Sequence, residues 1–242
     1  MAPAPDRPTL VFIHGSGASS VLWSAQVDAL ADVANTVAVD LPGHGGSSGP
    51  SCDSVSAYAE AVAGFLRTAE VPRPIPCGLS IGGAICLQLL LDVPGALRAG
   101  ILVGTGARLR VNPTIFEAIA RDYPAFVRTL PDSAASPQTP PDRLAALLEA
   151  TARTPPAITA GDFRACDRFD VMARLGEIAR PVLVVSAADD RLTPPKYADH
   201  LVRHIPGARR AHLRAAGHLM PLEQPEAFNA AVRAFLNELT SA

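Results

Sequence analysis

Lysine is all but missing from this chain: Lys196 is the only one, so nearly all of its positive charge is arginine. An excess of either sign is missing too, with a formal net charge of −2 and a pI near 6.3. That balance offers no electrostatic footprint for nucleic acid or an anionic membrane, and leaves small neutral or modestly charged molecules as the expected partners. The four cysteines, Cys52, Cys77, Cys86 and Cys166, lack CxxC or any other metal-ligand spacing. Cys77 and Cys86 sit in apolar runs, so buried free thiols are expected and no metal. The opening MAPAPDRPTL has neither a basic stretch followed by an apolar one nor a run long enough to span a bilayer. No secretory or transmembrane segment is read there, and a cytoplasmic protein, monomeric by default, is expected.

What the chain does have is apolar substance. At 242 residues and 48% hydrophobic composition, it can bury a full core as one α/β domain. Short β-branched runs recur at 9–15, 36–43, 75–80, 99–105, 181–187 and 208–218, most of them continuously hydrophobic, as suits strands covered on both faces. Helical spacing occupies 22–33, 54–69, 82–92, 195–204 and 225–239. The alternation predicts βαβ crossovers and a doubly wound, mostly parallel sheet of about six strands flanked by helices.

Between Arg108 and about Arg180 strands are absent. NPTIFEAIARDYPAFVRTL and DRLAALLEATAR have helical spacing there, separated by the proline-rich SAASPQTPPD. The expectation is a core formed by residues 1–107 and 181–242, with 108–180 inserted as a helical cap. The stripe Ile115, Phe116, Ile119, Tyr123, Phe126, Val127 and Leu130 either packs as ordinary helix core or roofs a pocket. Ile115, Phe116, Ile119, Tyr123 and Phe126, with Trp23 and Leu219, are the pocket candidates, although Trp23 equally suits anchoring the first helix. Arg108 and Arg110, where the cap begins, suit either a solvated hinge or recognition of a substrate carboxylate.

The stretch PCGLSIGGAI sets Ser80 between Gly78 and Gly82. If strand 75–79 turns sharply into helix 82–92, Ser80 must take a strained conformation that exposes its side chain at the carboxyl edge of the sheet. Cβ atoms at Gly78 and Gly82 would then collide with neighbouring backbone. This G-x-S-x-G pattern is a nucleophile elbow. A serine hydroxyl needs a base to take its proton, and the base needs a partner to hold its tautomer. Among the six histidines, His200 and His204 fall on a surface helix, His212 lies inside the last strand, and His14 and His44 sit in tight glycine-flanked loops as structural residues. His218 follows the last strand, at the edge where Ser80 emerges, and suits the base. For the third member, Asp189 and Asp190 both follow strand 181–187, and VGTGAR (103–108) holds no carboxylate.

FIHGSG, DLPGHGGS, CGLSIGGA, SAADDRLTP and AAGHLMPLEQPE, in that order, resemble the α/β-hydrolase superfamily over nearly the whole chain. The resemblance implies an α/β-hydrolase fold and a triad of Ser80, Asp190 and His218; the D-R-L-T-P register favours Asp190 over Asp189. It also implies oxyanion donors in the backbone N–H groups of Ser16 and Ile81. The DLPGHGGS segment, with Asp40, is assigned to structure. The implied activity is a cofactor-free serine hydrolase, carboxylesterase- or lactonase-like, that cleaves an ester, thioester or lactone through an acyl-enzyme. A carbon–carbon bond hydrolase or lyase with the same triad, or a binding protein with a vestigial one, are the alternatives. Three departures stand out. The sheet is expected to lack the family's extra N-terminal strands. Ala187 replaces a frequent glycine in the acid loop. Pro74 and Pro76 are expected to limit full pairing of their strand to residues from about Cys77 onward.

Overall fold

In the computed structural model, which describes residues 6–241, the apolar runs form six parallel strands: β1 (Thr9–Ile13), β2 (Asn35–Val39), β3 (Ile75–Leu79), β4 (Gly100–Val103), β5 (Val182–Ala187) and β6 (Arg209–Leu213). Their order is β2-β1-β3-β4-β5-β6. The four inner strands are buried along their whole length, while β2 is half-buried and β6 largely exposed at the two edges. Alternation divides the side chains between two cores. Val11 and Ile13 face one layer and Leu10 and Phe12 the other.

Helices cover both faces. α1 (Ser24–Ala29) joins β1 to β2, α2 (Val55–Thr68) precedes β3, and α3 (Ile81–Asp92) follows it. Five helices, α4 (Pro113–Arg121), α5 (Tyr123–Arg128), α6 (Leu130–Ala134), α7 (Ala145–Arg153) and α8 (Pro156–Arg168), lie between β4 and β5. α9 (Pro195–His204) connects β5 to β6, and α10 (Met220–Glu223) and α11 (Pro225–Ser241) end the fold. α2 shows why such segments form. Ser54 caps its N-terminus through a hydrogen bond from the Ala57 N–H, and Val55, Tyr58, Ala59, Val62 and Leu66 make one buried face. No helix among the described residues is long and apolar enough to cross a membrane.

The helical stripe of 113–131 is broken into three pieces by proline. Asp122 leaves the helical region at φ −158°, ψ 89° and caps α5 by accepting the Ala125 N–H, because Pro124, two residues later, has no N–H to give and the chain cannot continue α4 through it. The helical segment between β4 and β5, called the insertion below for its place in the chain, is closed at its base by a bridge between Arg108 and Asp170, reinforced by their ion pair, while Val171, Leu175 and Ile178 pack into the core beyond it.

The pairing of β3 follows the expectation for its prolines, with both sides paired only from Cys77. Against β4 the register begins at Cys77, but against β1 it begins at Ile75. The Pro74 carbonyl accepts the Arg98 N–H and the Ser80 N–H reaches Val103 O, so even-numbered residues face β4. The two missing N–H groups are therefore lost on that side alone, and Ile75 is free to pair with β1. Two element ends differ from expectation. The helix expected over 22–33 is a 3-10 turn at Ser20–Trp23 followed by a short α1, and the last strand stops at Leu213.

The order of strands reverses at β1, which sends the chain outward to β2 before it returns to β3 on the other side. The carboxyl ends of β1 and β3 thus open a crevice at a topological switch point, where open α/β sheets bind ligands. The loop after β1 and Ser80 both lie there.

Candidate active site

Ser80 has φ +58° and ψ −118°, one of three non-glycine residues with positive φ among those described. That conformation costs about 1–3 kcal/mol and persists only where surrounding contacts impose it. The Ser80 N–H donates to Val103 O at 3.0 Å and its carbonyl accepts the Thr105 hydroxyl at 2.8 Å. Close approach demands the flanking glycines. A Cβ on Gly78 would lie 2.1 Å from the Gly82 carbonyl, and one on Gly82 would lie 2.3 Å from Ile13 O. Ile81 opens α3, so its N–H has no intrahelical acceptor and sits at the positive end of the helix dipole.

At the carboxyl end of β5, Asp190 is buried and its carboxylate faces His218 Nδ1 at 3.1 and 3.0 Å. Its Oδ1 also accepts the N–H groups of Leu192 (2.9 Å) and Thr193 (2.8 Å), and its Oδ2 accepts the Thr193 hydroxyl at 2.8 Å. Burial works against the charged form, but His218 and these hydrogen bonds outweigh it and hold the carboxyl below its ordinary pKa. Asp189 is turned elsewhere and accepts the Ser136 hydroxyl at 2.7 Å.

Gly104, directly after the residue that holds the Ser80 N–H, forms the floor under this pair. A Cβ there would meet His218 Nδ1 at 3.2 Å and Asp190 Oδ2 at 3.3 Å. Residues 103–105 therefore carry Ser80 on one side and the His218–Asp190 pair on the other. Among the described residues no hydrogen bond joins the Ser80 hydroxyl to His218; such bonds are commonly long without substrate and tighten when it binds. The His218 loop is anchored to the insertion: its N–H reaches Ala134 O at 2.6 Å, and Glu223 accepts the N–H groups of Gly217 and Ser136 and the hydroxyl of Thr139.

A cavity of about 500 Å³ opens over Ser80. Its wall includes Ile115, Phe126, Phe163 and Cys166 of the insertion, with Arg110 and Arg191. Ile115 and Phe126 are thus cavity residues, while five other pocket candidates lie off the wall and are corrected here. Trp23 is fully buried beneath the sheet, with ring centroids 5.0 Å from Phe12 and 5.8 Å from Phe228. Ile119 and Tyr123 form the insertion's own core, the Tyr123 hydroxyl being held by Thr151 O and Thr159. Phe116 lies a third of a turn from the α4 face that presents Ile115 and Ala118 to the cavity. Leu219 packs into the sheet's lower core beside His218. Arg108 is committed to Asp170.

Three further residues of the site, Thr193, Gly104 and Glu223, carry little or no signal in the sequence. Thr193 lies in the D-R-L-T-P stretch, where a hydroxyl three residues after the acid was the available signal. Gly104 and Glu223 had none, since Gly104 and most of the Glu223 partners meet their contacts far along the sequence. The cysteines are free, with Cys77, Cys86 and Cys166 buried; burial pushes the Cys166 thiol up to about 12, which leaves it inert as a nucleophile.

A model of the Alpha/beta hydrolase family matches residues 10–231, and the chain belongs to that family. It is 29% identical to a pimeloyl-[acyl-carrier protein] methyl ester esterase of Nitrosomonas europaea over 91% of this chain and 92% of the relative. A putative carbamate hydrolase of Stutzerimonas stutzeri is 30% identical over 93% of this chain and 90% of its own length. Among solved structures, a hydrolase from Pseudomonas aeruginosa superposes with a TM-score of 0.86 at 29% identity, covering 97% of this chain and 92% of that one.

Proposed function

We propose that the protein is a serine hydrolase of carboxylic esters or of closely related acyl compounds such as thioesters and lactones. Ser80 attacks the carbonyl carbon, His218 takes the hydroxyl proton and returns it to the leaving alkoxide, and Asp190 holds the imidazole tautomer and balances its charge. The N–H groups of Ile81 and Ser16 bind the oxyanion, and water admitted by the same base releases the acyl group. The helices between β4 and β5 act as a cap that shapes the acyl site. The observation that carries this reading is the buried Asp190–His218 pair resting on Gly104 beside a serine strained into positive φ. The ester and carbamate chemistry in the relatives' names supports the same reaction class.

The test is direct. A fluorophosphonate probe is expected to label Ser80, and p-nitrophenyl butyrate is expected to turn over; well-folded protein that does neither sinks the proposal.

Arg110 and Arg191 give the cavity a positive side. Their guanidiniums bond to main-chain carbonyls, Asp167 O for Arg110 and Ala135 O for Arg191, and neither has an ion-pair partner among the described residues. A substrate with an apolar acyl chain ending in a carboxylate fits such a wall. Arg110 is exposed, so solvent screening limits the gain to about 1 kcal/mol, roughly fivefold in kcat/KM. Mono-p-nitrophenyl adipate is expected to be preferred over p-nitrophenyl hexanoate by that factor, and Arg110→Ala is expected to abolish the preference. Equal preference in both enzymes would remove Arg110 from the substrate site.

A further inference from the structure

A second buried carboxylate, Asp162 of α8, has no part in the reaction outlined above. It is fully buried and accepts three hydrogen bonds: the Gly17 N–H at 2.8 Å, His44 Nε2 at 2.8 Å and the Tyr58 hydroxyl at 2.5 Å. These donors come from the loop after β1, the loop after β2, and α2. His44 Nδ1 faces the Pro42 carbonyl at 3.1 Å. An oxygen thus faces each ring nitrogen, an arrangement that favours the doubly protonated ring. Burial opposes that charge, but Asp162 outweighs it and raises the His44 pKa above its ordinary value.

His14 lies beside it, with ring centroids 4.9 Å apart, and plays the complementary part. Burial first, and then the charge of His44, lower its pKa to about 4, so it stays neutral. It donates from Nδ1 to Gly15 O at 2.8 Å and accepts the Leu41 N–H on Nε2 at 3.0 Å.

These contacts dictate where Ser16 points. A trans peptide is planar, with its C=O and N–H directed oppositely. The Gly15 carbonyl is held by His14 and by the Ala18 N–H, which turns the Ser16 N–H of the same peptide away from His14. The next N–H, that of Gly17, is taken by Asp162. Gly17 has φ +67°, and a Cβ there would lie 2.8 Å from the Thr159 hydroxyl of α8. α8 therefore presses directly on this loop.

We infer that Asp162, held by His44 and Tyr58, is a positioning residue that aims the Ser16 N–H at the oxyanion, so that the insertion builds part of the oxyanion hole as well as roofing the cavity. The inference rests on the hydrolase reading and deepens it.

The experiment compares wild type, Asp162→Ala and Asp162→Asn, with rates normalised to active sites titrated by the phosphonate. Asp162→Ala removes the acceptor and is expected to lower kcat for p-nitrophenyl butyrate about 10²-fold, with KM within about threefold. Affinity for a trifluoromethyl ketone is expected to fall by a factor similar to that in kcat. Asp162→Asn keeps one acceptor without the charge and is expected to fall between. Val62→Ala, which trims a buried α2 residue outside the network, is expected to lower Tm and leave kcat unchanged. Hydrogen exchange at the Gly17 amide reads the clamp without turnover and is expected to quicken in Asp162→Ala. Wild-type kcat in both folded Asp162 variants, or unchanged Gly17 protection, overturns the inference. A wild-type protein inert toward esters whose Gly17 protection still depends on Asp162 would sink the hydrolase reading while supporting the clamp.

Discussion

Replacing Ser80 by alanine is expected to lower kcat by about 10⁶, the scale reached when one member of a triad acting as a unit is removed. The fold has no reason to suffer. The three hydrogen bonds that hold residue 80, to Val103 O and from the Thr105 hydroxyl and the Ala84 N–H, all use its backbone, and alanine occupies the same space without the hydroxyl. Ser80→Gly goes further. Glycine adopts φ +58° without steric penalty, so it releases about 1–3 kcal/mol of strain and returns about 0.5–1 of that as unfolded-state entropy. A net gain of about 1 kcal/mol corresponds to a rise of roughly 2–4 °C in Tm for a chain of this size. Calorimetry of the inactive glycine variant checks this: a Tm at or below that of wild type would mean that residue 80 is not strained. Turnover of the alanine variant near the wild-type rate would remove Ser80 from the chemistry.

The strained elbow was legible because it is written locally. Gly78, Ser80 and Gly82 sit within five residues, and the collisions that demand the two glycines involve the turn itself and the end of β1. The sheet was legible for a related reason: inner strands buried on both faces must be continuously apolar, and that pattern survives in one dimension. The helical insertion was harder to read. Its stripe mixes residues facing the cavity, Ile115 and Phe126, with residues such as Ile119 and Tyr123 that are buried in the apolar cluster behind them, and helical periodicity marks what is buried without saying against what. Polar networks were the least legible. Asp162 stands in a helix 118 residues from His44 and 145 from Gly17, and nothing adjacent to it announces a buried charge. The glycine-flanked loops of His14 and His44 mark both as structural; that burial pushes the pKa of one ring down while Asp162 pushes that of the other up needs the fold that brings Asp162 to His44.

Asp190→Asn is expected to lower kcat by about 10⁴, although the side chain keeps its size and most of its hydrogen bonds. The surrounding donors decide the outcome. The N–H groups of Leu192 and Thr193 both point at Oδ1, so the asparagine carbonyl must occupy that position and its NH2 must take the place of Oδ2. That NH2 then faces His218 Nδ1 at the shorter of its two contacts, which favours Nδ1 as an acceptor and places the ring's proton on Nε2, the nitrogen that must receive the proton of Ser80. The base is present but blocked. Asp189→Asn is expected to change kcat less than about threefold, because its carboxylate meets only the Ser136 hydroxyl and is half-buried. Stability carries a second signature of Asp190. Its folded pKa lies below the unfolded value, so the wild-type carboxylate contributes stability above about pH 4 and loses it as pH falls through the folded pKa. The Tm deficit of Asp190→Asn is therefore expected near neutrality and to narrow in acid, as wild type protonates into a near copy of the variant. A deficit that holds constant from pH 7 to well below pH 4 would mean that Asp190 gains nothing from its charge in the folded state, and an Asp189→Asn variant as inactive as Asp190→Asn would move the acid of the triad to its neighbour.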